Sequence, residues 1–272
     1  MPELPEVETV MRALEPHVKG SIIASAKVLS PALRIPLLQD MEKTISSQEI
    51  ISIKRRAKYL LFELSSSLTM VVHLGMTGKL TIVAKSHTPV KHDHVIIYLN
   101  DRALVYNDPR RFGLIDLIKT NELLSHKLFA NLGPEPFDKD FTACYLQEKL
   151  KARRVPIKVA IMDNKVLVGV GNIYASEALF LAGLSPLRKA NDLSLPECER
   201  LVAAIKRVLQ DAIDSGGSSI RDFVSIDNNK GYFQHNFALY GKAGGNCRNC
   251  FASIVKIYQG GRATFFCSRC QS

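Results

Sequence analysis

Four of the chain's six cysteines stand as Cys247-x2-Cys250 and, sixteen residues on, Cys267-x2-Cys270. No other feature constrains the fold so tightly. Each short pair offers two thiolates from one turn, and two such pairs complete a tetrahedron around a single ion. Between them, Ala252–Tyr258 and Arg262–Phe266 have strand composition on either side of Gln259-Gly260-Gly261. A hairpin this short buries no adequate core of its own, so a structural zinc ion is expected to supply its stability. Two disulfides are the alternative, and they are disfavoured because the acidic start MPELPEVE is unlike an export signal. Cys144 and Cys198 stand alone and read as packing positions.

The remaining length, out of 272 residues, suffices for two buried cores. One helix opens the chain: Pro5 suits its first turn with Glu6 and Glu8, and Val7, Val10, Met11 and Leu14 keep helical spacing. From Ser21 to about Ile118 the pattern is strand-like, with runs at Ile50–Ile53, Tyr59–Leu64, Met70–Leu74, Val95–Leu99 and Leu104–Tyr106. Strands this frequent predict a sandwich or a flattened barrel. Gly133-Pro134-Glu135-Pro136 breaks the pattern. Beyond it Phe141–Ala152, Ile157–Asp163, Ile173–Ala182 and Leu195–Ile213 read as helices. Domains are therefore expected at 1–134, 135–232 and 233–272.

Lys plus Arg number 36 against 26 for Asp plus Glu, a formal charge of +10. The distribution says more than the total. Gly241–Ser272 carries five basic residues and no acidic one, and Lys151–Lys158 adds Lys151, Arg153, Arg154 and Lys158. Two distant basic clusters point to a polyanion, with nucleic acid leading, though charge alone does not settle it. Charges interrupt every apolar run before a membrane span is reached, so a soluble cytoplasmic protein is expected. Val168-Gly169-Val170-Gly171-Asn172 opens like a dinucleotide-binding loop, but Tyr174 stands at the third glycine position and a helix precedes it. A glycine turn opening a helix at Asn172 fits better. Its free N–H groups could hold a phosphate, and a plain tight turn is the alternative.

Taken in order, MPELPEVETV, RRAKYLLFEL, HLGMTGKL, KHDH, DPRRFG, LGPEP, MDNKVLVGVGNIYASEALF, GGSSIRDF, GYF, GRATFFC and the four cysteines resemble the formamidopyrimidine-DNA glycosylase family along the whole chain. The resemblance implies an α+β protein: an N-terminal β-sandwich with an N-terminal helix, a helix–two-turn–helix domain, and a C-terminal zinc β-hairpin finger. It implies a bacterial enzyme of base excision repair, a monomer acting on double-stranded DNA that contains oxidised purines, with no small-molecule cofactor.

It also implies roles for particular residues. Once Met1 is removed, Pro2 is a secondary amine whose α-amino pKa near ~8 leaves a good fraction nucleophilic at neutral pH. Glu3 would be the acid beside it, and Glu6 a structural cap. Lys58 and Arg262 would reach phosphates and assist elimination. Met76, Arg110 and Phe112 match the family's trio that fills the hole left by the extruded base, Arg110 meeting the widowed cytosine. By the same resemblance His92, Arg111, Arg153 and Asn172 contact DNA. The two imidazoles of His92-Asp93-His94 would share a strand face by alternation, and no second metal is expected. Ser218–Tyr232 would cover the extruded base. Three positions depart from the family pattern: Val159 for a common proline, Phe251 for a usual glycine, and Gly261 for a frequent glutamine.

Two other functions compete. A non-catalytic zinc-ribbon DNA-binding protein would use the same basic surfaces. The sister glycosylase for oxidised pyrimidines shares the proline, glutamate and finger, but its start usually runs Pro-Glu-Gly-Pro-Glu, against Pro2-Glu3-Leu4-Pro5-Glu6 here.

Overall fold

The computed structural model describes residues 2–217 and 237–272. The chain divides into two compact units, Met1–Ala130 with Gly216–Tyr232, and Asn131–Ser215 with Phe233–Ser272.

The first unit opens with α1 (Leu4–Val18), followed by β1 (Ser25–Val28), the short α2 (Met41–Ile45), β2 (Ile50–Arg56), β3 (Tyr59–Leu64), β4 (Leu68–His73), β5 (Lys79–Ala84), β6 (Asp93–Tyr98), β7 (Arg102–Asn107) and β8 (Leu114–Lys119). They form two four-stranded sheets in the orders β1-β6-β7-β5 and β2-β3-β4-β8, antiparallel throughout. Alternate residues from both sheets meet in one core, with Leu60, Phe62 and Leu64 from β3, Met70 and Val72 from β4, Val95 and Ile97 from β6, and Leu104 and Tyr106 from β7. That period of two is the signature of a sandwich. Val7, Val10, Leu14 and Val18 bring one stripe of α1 into the same core. Truncating the fully buried Leu14 to alanine would cost ~2–5 kcal/mol.

In the second unit α3 (Ala143–Leu150) is capped by Thr142, whose Oγ1 accepts from Tyr145 N at 3.1 Å. Then come α4 (Ile157–Ile161), α5 (Asn172–Leu181), α6 (Leu195–Asp214) and the hairpin β9 (Val255–Gln259) with β10 (Arg262–Phe266). Every residue from Ile173 to Phe180 is buried, so α5 is the central helix and is apolar nearly all round. Its C-terminal Phe180 joins Leu239, Ile254 and Phe265 in a core shared with the hairpin. Gly133 belongs to this unit: its N–H donates to Asn164 O at 2.7 Å, and a Cβ there would lie 2.8 Å from Val166 O. Among the described residues no helix is long and apolar enough to cross a membrane.

Candidate functional site

Pro2 and Glu3 lie buried at the head of α1, with Glu3 at 3% exposure as the residue before its first turn. Glu6, also 3% exposed, accepts from Glu3 N at 2.8 Å through Oε2, the reciprocal bond of a capping box. Its expected capping role is what the structure shows. One turn on, Glu8 Oε2 accepts from Arg55 Nε at 2.7 Å, which ties α1 to the end of β2. Arg55 Nη1 donates to Ala57 O at 3.0 Å, and Ala57 takes a left-handed φ of 54° in the two-residue turn between β2 and β3. Lys58 is the second residue of that turn. By itself its sequence suggests a surface lysine on a strand; instead it is 8% exposed and belongs to a hairpin turn. Gly217 leaves beside the same helix, and a Cβ there would lie 3.4 Å from Glu6 Cα. The segment Ser218–Tyr232, expected to cover an extruded base, lies outside the described residues.

Met76 and Phe112 are 39% and 45% exposed, on the loop after β4 and the loop after β7. Large apolar side chains left in water are a poor investment for folding alone, and Phe112 meets a cation. The Arg110 guanidinium carbon lies 4.5 Å from the centre of the Phe112 ring. Arg111 is exposed with φ 53°. Beneath the loops sits Asp108, fully buried and not singled out from the sequence. Its Oδ1 accepts from Thr77 Oγ1 and from Arg110 N, and its Oδ2 from Gly113 N and Tyr106 OH. The one local clue was an aspartate preceding Pro109 in a turn.

His92 and His94 do not share a strand face. His92 precedes β6 with φ 74°, so the alternation fails before it begins, and its carbonyl accepts from Asp108 N at 3.0 Å. His94 is 2% exposed and its Nε2 lies 2.8 Å from Asp108 O. On β4, His73 accepts from Gly75 N at 2.9 Å through Nδ1. Burial, with Arg34 and Lys58 nearby, holds its pKa down to about 3, so at neutral pH the ring is uncharged and its proton sits on Nε2. Burial also pushes the Tyr106 phenol up, aided by Asp108, so it remains a donor.

In the second unit Gly169, at φ 82°, turns the chain into α5, whose first residue is Asn172. This is the expected glycine turn opening a helix. Asn172 Oδ1 accepts from Lys158 Nζ at 2.6 Å, and its Nδ2 donates to Tyr240 OH at 3.2 Å. Beyond these side-chain bonds, Asn172 offers an anion the backbone of the helix terminus. Lys158, 1% exposed, also donates to Thr264 Oγ1 at 2.8 Å and Ala263 O at 3.1 Å, linking α4, α5 and the hairpin beside Arg262. The exposed Arg262 and the half-buried Arg153 line a cavity of about 380 Å³ with Lys158, Val159, Asp163 and Gln259. Arg153 Nη1 also donates to Asp163 Oδ2 at 2.8 Å. Glu177 on α5 accepts from three successive amides, Ala238, Leu239 and Tyr240, at 2.6–2.9 Å.

The four finger cysteines offer Sγ atoms all within 4.8 Å of one another, the only such ligand group among the described residues. Cys247–Cys270 and Cys250–Cys267 are 3.8 and 3.4 Å apart. A tetrahedral ion with sulfur ligands at ~2.3 Å needs sulfurs about 3.7 Å apart, so the site can hold a metal ion. Cys198 is buried as expected, whereas Cys144 is exposed on α3 and packs no core. The three departures leave the frame intact. Phe251 sits at φ 59° and is 76% exposed. Val159 lies within α4, and its methyl groups would be 3.6 and 3.9 Å from a Cβ at Gly260. Gly260 and Gly261 supply the positive φ values of the two-residue β9–β10 turn.

Pro2, Glu3, Lys58, Met76, His92 and Arg110–Phe112 thus fall in the first unit, and Arg153, Asn172, Arg262 and the cysteines in the second. Residues 1–115 match the family described as formamidopyrimidine-DNA glycosylase N-terminal domain, and residues 132–224 its H2TH domain. Formamidopyrimidine-DNA glycosylases of Ruegeria sp. (strain TM1040) and Escherichia coli O6:H1 are 46% and 47% identical, with all of each chain covered. Among solved structures, Lactococcus lactis Fpg in complexes with N7-benzyl-Fapy-dG DNA and with abasic-site DNA superimposes with a TM-score of 0.92 at 37% identity, over 99% of both chains. Matching in sequence over its full length and in fold with both family domains, the chain belongs to the formamidopyrimidine-DNA glycosylase family.

Proposed function

We propose that the chain is a bifunctional DNA glycosylase and abasic-site lyase of base excision repair, excising oxidised purines, 8-oxoguanine and formamidopyrimidines, from duplex DNA. The observation that carries the mechanism is the placement of Pro2 and Glu3, buried together at the positive end of α1. That end carries roughly half a positive charge, which disfavours an ammonium there and keeps the terminal amine of a chain lacking Met1 nucleophilic.

The Pro2 lone pair bonds to the sugar C1′, the glycosidic bond breaks with its electron pair leaving on the damaged base, and the proton lost from the Pro2 nitrogen is taken up, through solvent, by that base. Glu3 supplies the proton the ring oxygen takes as the sugar opens. The resulting iminium of a secondary amine has no N–H to lose and stays cationic. It acidifies the C2′ proton, whose removal expels the 3′ phosphate; a second elimination expels the 5′ phosphate. Lys58 and Arg262 are assigned to the phosphates during these steps, and His92, Arg111, Arg153 and the backbone at Asn172 to DNA binding. Met76, Arg110 and Phe112 would fill the vacated stack. Their exposure and the Arg110–Phe112 stacking support that role. The four thiolates would hold zinc, which closes the finger and takes no part in the chemistry. A cytoplasmic monomer is the form expected to act.

Borohydride trapping tests this assignment on duplexes bearing 8-oxoguanine opposite cytosine, with thymine glycol and undamaged duplexes as controls. Reduction converts the iminium to a stable covalent adduct. A strong 8-oxoguanine adduct that disappears in Pro2→Gly supports nucleophile and substrate class together. A preference for thymine glycol would move the chain to the pyrimidine enzymes. No adduct from protein with Pro2 at its terminus would leave a DNA-binding protein only.

A further inference from the structure

Both exposed loops converge on the carboxylate of Asp108. Its Oδ1 accepts from the Thr77 hydroxyl of the first loop at 2.5 Å and from the Arg110 amide of the second at 3.3 Å. Its Oδ2 accepts from Gly113 N at 2.9 Å and from Tyr106 OH, on β7, at 3.3 Å. Its main-chain oxygen accepts from Arg111 N at 3.2 Å. The loops also touch backbone to backbone. Gly75 has φ 63°, and a Cβ on it would lie 2.5 Å from both Gly113 N and Phe112 C. A Cβ on Gly113 would meet the Tyr106 hydroxyl at 1.7 Å and His73 O at 2.6 Å. Neither glycine has room for a side chain.

We infer that Asp108 is a positioning residue that locks the two loops into one rigid reading head, and that it sets how well the enzyme discriminates the base opposite the lesion. This rests on the wedge role given to Met76, Arg110 and Phe112. Arg110 can prefer cytosine only if its donor fork is presented at one angle, because hydrogen-bond discrimination falls away as the donor gains freedom. Its backbone is held by Asp108 and Thr77, at 3.3 and 3.2 Å, and its guanidinium by the Phe112 ring. Freeing the carboxylate link would leave Met76 and Phe112 able to shift independently, and Arg110 able to accept adenine. Asp108 touches no substrate atom; it acts through Arg110.

The test is single-turnover excision of 8-oxoguanine opposite cytosine and opposite adenine, by the full-length protein. The readout is the ratio of the two rates, from which the folded fraction cancels. Thr77→Val removes, at constant shape, the hydroxyl that donates to Asp108 and accepts from Arg110 N. Asp108→Asn turns one acceptor into a donor facing a donor. Each is expected to lower the cytosine-to-adenine ratio about fivefold or more, the worth of roughly one net hydrogen bond. Thr77→Ser, which keeps the hydroxyl, should hold the parent ratio. If Thr77→Val and Asp108→Asn leave the ratio unchanged while Arg110→Ala collapses it, the assignment of Asp108 is overturned. If Arg110→Ala leaves it unchanged as well, the wedge role itself fails and this inference with it.

Discussion

Lys158→Met would replace a buried ammonium by a side chain of similar length that donates nothing. Lys158 Nζ gives hydrogen bonds of 2.6, 2.8 and 3.1 Å to Asn172 Oδ1, Thr264 Oγ1 and Ala263 O. Methionine spares the several kcal/mol needed to dehydrate an ammonium, and its thioether regains apolar packing. Against that, the Thr264 hydroxyl can turn elsewhere but Asn172 Oδ1 and Ala263 O lose a donor, at ~1–3 kcal/mol for each acceptor stranded. Because removing one partner from a buried charged network destabilises more than replacing the whole network, a net loss of ~2–4 kcal/mol is expected. In a unit of this size that lowers the melting temperature by roughly 10 °C.

The loss should also reach DNA binding, because Lys158 joins the start of α5 to the strand that carries Arg262. The slope of log affinity against log salt should shallow by about one phosphate contact or more. Circular dichroism melting and fluorescence titration between low and physiological salt check both. A melting temperature within about 2 °C of the parent, or an unchanged salt slope, would refute the argument that Lys158 holds these elements in register.

Metal removal by chelation should raise hydrogen exchange in β9–β10 and also at the first turn of α5, since Thr264 and Phe265 are shared with the helices; exchange confined to the hairpin would break that link. Phe251→Gly relieves a left-handed residue that is 76% exposed and should slow metal release to a chelator several-fold, for a gain of ~1 kcal/mol. An unaltered release rate would mean that the knuckle stores no strain there. His73 gives a pH signature. Its folded pKa of about 3 lies below the ordinary imidazole value of ~6.5, so between those values the unfolded chain binds a proton that the folded chain refuses. Its contribution therefore drains away as pH falls from about 6.5 toward 3, by up to ~1.4 kcal/mol per pH unit. His73→Asn keeps an acceptor for Gly75 N and should flatten that part of the stability curve; parallel curves would show that burial does not hold the ring neutral.

Which parts of this molecule are legible in its sequence follows from where each signal resides. β3 and β10 match their sequence-derived bounds because both are bracketed by short turns and alternate cleanly, and α5 and α6 come within a residue. The strands not singled out, β1, β5 and β8, all lie at sheet edges. An edge strand pairs on one side only and keeps more polar, half-exposed residues, so its apolar pattern is diluted. The five-residue α2 is too short for a helical period to show.

The same logic divides the site. Residues expected to meet DNA or metal are visible because chemistry restricts their types: a proline amine, thiolates in pairs, a guanidinium beside an aromatic. Residues that aim them are decided by partners remote in sequence. Thr77 and Asp108 are 31 residues apart, Lys158 and Thr264 106, and Glu177 and Leu239 62. No local spacing encodes such pairs, and each of these residues read alone is an ordinary polar position. Their burial changes what they must do. A carboxylate at 0% exposure and an ammonium at 1% persist in a folded chain only if neighbouring donors and acceptors are held still around them. That requirement runs both ways: the loops and helices that satisfy Asp108 and Lys158 are fixed by them. Lys158, which the sequence places in an exposed basic cluster, is instead buried, and with Asp108 it holds the backbone on which the exposed Arg110 and Arg262 stand.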